Sequence, residues 1–111
     1  MATFVNIKLA DPVQLASGSI TTIYTSPTTA ATIITSLAIA NNEAEERHLS
    51  IYLCPAGAAA ADANILLPNV PIPANTMVNI GIGQTISATD VIRALSDSNY
   101  MVIHSSGIKI I

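Results

Sequence analysis

Apolar residues at every second position limit this chain to strands, and residues 21–42, TIYTSPTTAATIITSLAIANN, show it most clearly. Ile23 and Tyr24 close a short strand, and Ser26-Pro27-Thr28 supplies a turn for which the proline presets φ. Ala31, Ile33, Leu37 and Ile39 then alternate until Asn41-Asn42 ends the run, so these four are expected to face the core. Thr32, Ile34, Ser36, Ala38 and Ala40 take the opposite face, which is small or weakly polar rather than charged. A strand apolar on one side and mildly so on the other requires cover on both.

The same period recurs along the chain. Val5, Ile7 and Leu9 alternate in residues 3–9, Asp11-Pro12 breaks that strand, and residues 13–16 read as a brief extension. Ser17-Gly18-Ser19 turns the chain into a strand over 20–24. The charged run Glu43-Ala44-Glu45-Glu46-Arg47 reads as a solvated loop. Leu49, Ile51 and Leu53 point inward from a strand over 48–54, with Ser50 and Tyr52 outward. Pro55-Ala56-Gly57 ends it, and the alanine-rich residues 58–63 are too few for more than one helical turn, near Asp62 and Asn64.

Pro68, Pro71 and Pro73 cannot donate to a ladder, so residues 65–72 are expected at a sheet edge or in an extended connection. Val78, Ile80 and Ile82 mark a strand over 76–82, interrupted at Gly83-Gln84. Residues 91–95 can be read as a helix capped by Thr89 or Asp90, but the β-branched start favours a strand. Residues 100–104 and 107–111 close the chain with a strand, or with a strand carrying a Ser-Ser-Gly bulge. About eight short strands, turn signals every eight to twelve residues and no convincing helix predict a single all-β domain over residues 1–111, an antiparallel β-sandwich of jelly-roll type.

The surface such a domain presents is unusual. Only 10% of its 111 residues are charged and half are apolar, against about 25% charged in an average soluble domain. Weakly polar areas of that extent mark association, so a homo-oligomer or assembly subunit is expected. The four basic residues, Lys8, Arg47, Arg93 and Lys109, are dispersed and the net charge is −3, which argues against a nucleic-acid partner. Polar residues interrupt the charge-free stretch 12–42, so no membrane-spanning helix is expected, and MATFVNIKL has neither the basic leader nor the apolar core of a signal peptide. The lone Cys54 permits no internal disulfide and reads as a buried, inert thiol.

No constellation of catalytic residues emerges. His48 and His104 lack the spacing of a zinc site. Glu43, Glu45 and Glu46 lack the spacing and glycine of a calcium loop. Gly81-Ile82-Gly83-Gln84 lacks the third glycine and helix of a phosphate loop and reads as a bulge. Ser50 lies near His48, yet no base-orienting carboxylate or oxyanion donor is identified, and Asp62 and Asp90 stand in separate loops. The expectation is a non-enzyme with no catalytic residue, metal or cofactor. Phe4, Tyr24, Tyr52 and Tyr100 are the only aromatics, which weakens a sugar-binding or base-stacking face.

The order Ile23-Tyr24-Thr25-Ser26-Pro27, then Ile33-Ile34-Thr35-Ser36-Leu37-Ala38-Ile39-Ala40-Asn41, then Leu49–Leu53 leading to Cys54-Pro55-Ala56-Gly57, resembles small β-sandwich structural proteins of tailed-bacteriophage virions. The run Ala60-Ala61-Asp62-Ala63-Asn64-Ile65-Leu66 and the later Gly83-Gln84-Thr85-Ile86 with Asp90-Val91-Ile92-Arg93-Ala94 share that character, so the likeness spans roughly residues 20–94. It implies a capsid decoration (cement) protein, often a trimer over local threefold positions, that binds the major capsid protein at the virion surface after synthesis in the host cytoplasm. The same sandwich also serves in tail, fibre and neck adaptors. A lectin-like glycan-binding module is a further alternative, from a different class. The 68–73 edge and the small-residue faces are the expected contact surfaces.

Overall fold

The computed structural model describes residues 4–9, 12–26, 32–87 and 89–110. Among these, nine strands form two sheets: β1 (Phe4–Lys8), β2 (Val13–Gln14), β3 (Thr21–Thr25), β4 (Thr32–Asn41), β5 (Arg47–Cys54), β6 (Ile65–Ile72), β7 (Thr76–Ile86), β8 (Val91–Ser96) and β9 (Met101–Ile110). Single 3-10 turns at Pro55–Gly57 and Asp62–Asn64 are the helical elements described, and no helix there is long and apolar enough to cross a membrane. The turn expected at Ser26-Pro27-Thr28 falls mostly outside the described residues.

One sheet has the order β1-β9-β4-β7, with β2 also on β9; the other runs β3-β8-β5-β6. The pairings are nested. β1 pairs with β9, β3 with β8, β4 with β7 and β5 with β6, all antiparallel. A long hairpin whose two arms pair in this order and then roll up is a jelly roll, and β9 against β4 and β8 against β5 close the roll. The all-β sandwich expected from the period-two pattern is therefore present. Residues 91–95 lie in strand β8, and the proline-containing β6 is an edge.

The core lies between the sheets. Leu37, Ile39, Met101 and Ile103 from one meet Leu49, Ile51, Ile72 and Ile92 from the other, and all eight are fully buried. Each such side chain contributes about 1.5–3 kcal/mol by leaving water. Cys54 is also buried, as expected.

Two expectations need correction. Strand β4 does not keep one face throughout. Thr32 and Ile34 are buried where Ile33 was expected, whereas Leu37 and Ile39 are buried as expected. The cause is a bulge at Thr35. Ile34 pairs with Gly107 and Ser36 with Ser106, leaving Thr35 extra, and one extra residue exchanges the two faces.

Of the two readings of the last segment the plain strand holds: β9 runs unbroken from Met101 to Ile110, and the bulge lies on its neighbour β4. Strand β7 likewise continues through Gly83-Gln84 to Ile86. There Ile34 pairs with Gln84 and Ser36 with Gly81, so Ile82 and Gly83 stand opposite the single Thr35. Gly83 has φ +67°, a left-handed conformation that glycine adopts without steric cost.

Candidate functional site

Charge is concentrated at one end of the sandwich. The bend after β4 carries Glu43, Glu45 and Glu46, and it meets the start of β5 and the loop after β8. Arg47 binds the Glu43 carboxylate and lies 3.2 Å from Glu45 Oε2. The Glu43 hydrogen bond and the surrounding carboxylates raise the Arg47 guanidinium above its ordinary pKa. Two of the three glutamates considered for calcium therefore hold an arginine. His48 Nδ1 stands 3.5 Å from Asp97 Oδ2, and the His48 amide donates to Asp97 Oδ1 at 2.9 Å. Four carboxylates against Arg47 leave this end at −3, the net charge of the whole chain, because the remaining three acids and three bases cancel.

Asn41 organises this end from beneath. It is buried at the end of β4, where its side-chain amide donates to the carbonyls of Glu45 (2.9 Å), Ile72 (3.1 Å) and Pro73 (3.2 Å). Its oxygen accepts from the Glu43 amide at 3.2 Å. In the sequence Asn41 marks only the end of a strand; its three acceptors come from segments up to 32 residues away.

On the outer face of the β3-β8-β5-β6 sheet, Ser17, His48, Ser50, Asn69 and Asp97 surround a groove of about 300 Å³ with Leu95 at its base. The fold thus brings an aspartate beside His48 and Ser50, a juxtaposition not legible in the sequence because Asp97 is 49 residues from His48. Ser50 Oγ, however, accepts a 3.0 Å hydrogen bond from the Asn69 amide, and among the described residues none joins it to His48. The Asp97 side chain is 49% exposed, so water screens its effect on the imidazole. Nucleophilic catalysis needs a serine–base bond and a shielded, orienting carboxylate, and this geometry supplies neither.

The other candidates are dispersed. His104 lies on the outer face of the opposite sheet from His48, beside Ala40, Met77 and Val102. Asp90 accepts from the amides of Ala56 (2.9 Å) and Ser87 (3.0 Å), a loop clasp at the far end from Asn41. Among the described residues no three His, Cys, Asp or Glu side chains gather as metal ligands.

The outer face of the β1-β9-β4-β7 sheet is nearly bare of charge. Ser36, Ala38 and Ala40 of β4 lie beside Gly81, Asn79 and Met77 of β7, and beside Ser106, His104 and Val102 of β9. Neither β4 nor β7 contains a charged residue, and β9 contains only Lys109. Met77 is 59% exposed, the most of any described large apolar side chain. This is the small-residue face anticipated as a contact surface.

No protein-family model matches the chain, and no curated protein matches it in sequence. Solved structures do resemble it. A chain in the structure of infectious bursal disease virus Gx strain superposes with a TM-score of 0.58 at 13% identity, over 99% of this chain and 33% of that one. A chain in the Gt strain structure gives 0.52 at 13% identity, over 98% and 31%. This protein therefore spans about a third of the length of the viral chains it resembles. At this identity the likeness is one of fold.

Proposed function

We propose that this chain is a virion structural protein, a jelly-roll subunit that acts by association rather than catalysis. The carrying observation is the conjunction of a fold shared with chains from virus structures and a sheet face whose strands β4 and β7 carry no charge. Removing such a face from water costs little desolvation, because few charges lose their hydration. Assembled shells are where identical faces of this kind meet repeatedly.

In its more specific form the proposal is a bacteriophage capsid decoration protein, a homotrimer bound to the major capsid protein. Copies that bind only the assembled shell stabilise it by mass action over the dissociated state. The resemblance in residues 20–94 supports this form. A tail, fibre or neck adaptor built on the same sandwich is the second form.

The test has two measurements. Light scattering gives the solution mass, expected to be three chains or a multiple. Incubation with shells lacking the protein then measures saturable binding and the shell's melting temperature. Binding with a raised melting temperature supports decoration. A protein that ignores the shell but binds isolated tails or necks moves the assignment to an adaptor, and one that binds no virion component removes the proposal.

A further inference from the structure

We infer that β7 is a self-association edge, pairing antiparallel with β7 of a second copy of this chain about a two-fold axis at Asn79. Among the described residues β7 has one neighbouring strand, β4. Alternate peptide groups along its other side therefore point away from the sheet, an open template for another strand.

The other edges are guarded, and this one is not. β6 contains Pro68 and Pro71 and two register shifts. β3 has five residues and a register shift between Thr22 and Tyr24. β1 has five residues and ends in exposed Lys8, and β2 has two. β7 runs for eleven residues, TMVNIGIGQTI, with no charge and no proline. Its one irregularity is the bulge at Ile82-Gly83, which leaves residues 76–81 as a regular strand.

That segment complements itself. A two-fold axis at Asn79 aligns residues 77–81, all within it, with their counterparts. Met77 then faces Gly81 of the second copy on the outer side. Met77 is the most exposed of the described large apolar side chains, and no described atom lies within 4 Å of where a Gly81 Cβ would be. The long side chain thus has open space above a residue with none. On the core side Val78 faces Ile80 of the second copy; both are only partly buried here, as an incomplete apolar row would be. The two Asn79 amides meet at the axis, each with donors and an acceptor. No like charges oppose each other anywhere along the pair. A foreign strand would have to reproduce these features; a second β7 already has them.

This contact does not rest on the virion reading, and it leaves any threefold contact to other surfaces. Light scattering of the full chain is expected to give an even number of chains, at least twice 11.5 kDa, and six where a threefold contact forms as well. Asn79→Lys sets two cations against each other at the axis and is expected to weaken that association at least about tenfold, halving the mass. Asn79→Glu should do the same, and an equimolar mixture of the two variants should recover it as a mixed species. Asn79 is exposed, so circular dichroism should show both variants folded.

A monomeric or odd-numbered wild type, a mass unchanged by Asn79→Lys, or a mixture that fails to reassociate would each overturn the inference. Shell binding by Asn79→Lys is measured separately, so loss of the β7 contact and loss of the virion role remain distinguishable.

Discussion

Gly107 packs directly against the backbone carbonyl of Ile33: a β carbon added at Gly107 would be driven into the Ile33 oxygen and would lie 3.0 Å from Leu9 Cδ2. The backbone atom cannot rotate aside as a side chain can. Gly107→Ala is therefore expected to destabilise the protein by about 1–3 kcal/mol, the usual range for overpacking. Urea unfolding checks this through the midpoint; a change under a few tenths of a kcal/mol would show that β4 yields at this point.

The bulge at Thr35 predicts an inversion between neighbours. Ile34 is fully buried and Ile33 only partly so. Truncating a buried isoleucine to alanine costs about 2–5 kcal/mol, so Ile34→Ala should lose that much and Ile33→Ala distinctly less. Uninterrupted alternation from Ala31 to Ile39 demands the reverse order, and the two midpoints decide between the registers.

Asn41 is expected to be intolerant of substitution. Asn41→Ala leaves the buried Ile72 carbonyl without its amide donor, a cost of about 1–3 kcal/mol. Asn41→Asp should be worse at neutral pH, because it turns a carboxylate toward the carbonyls of Glu45, Ile72 and Pro73. Thermal melts of the two variants should fall in that order, and equal melts would show that the amide donors carry no weight.

Ser105 offers the opposite case. It is 2% exposed, pairs in register with Leu37, and its hydroxyl has no hydrogen-bond partner among the described residues. Burying an unpartnered hydroxyl costs about 1–3 kcal/mol. Ser105→Ala should therefore leave the melting temperature unchanged or raise it. A clear fall would point to a water held by that hydroxyl.

Alternation made the strands legible because burial on one face imposes a period of two on the residues themselves. β5 sits where Leu49 and Ile51 said it would, β8 where the β-branched start at Val91-Ile92 favoured a strand over a helix, and the prolines of β6 excluded a central strand because they lack the donor it needs. The bulge on β4 escaped that reasoning. An extra residue at Thr35 exchanges faces without altering composition, so Thr32 and Ile34 looked like the outer face. The continuation of β7 through Gly83 was hidden for the same reason.

The sequence by itself determined an all-β sandwich and a charge-poor chain, because each follows from residue type and local spacing. Only the tertiary structure decided which strands pair, and hence the nested jelly-roll order, the buried Asn41 clasp, the meeting of His48 with Asp97 and the gathering of the net charge at one end. The two Asn41 contacts with Ile72 and Pro73 and the Asp97 contact with His48 each join residues 31 or more positions apart. Their geometry exists only once non-local ladders have formed, and no local pattern encodes a partner at that distance.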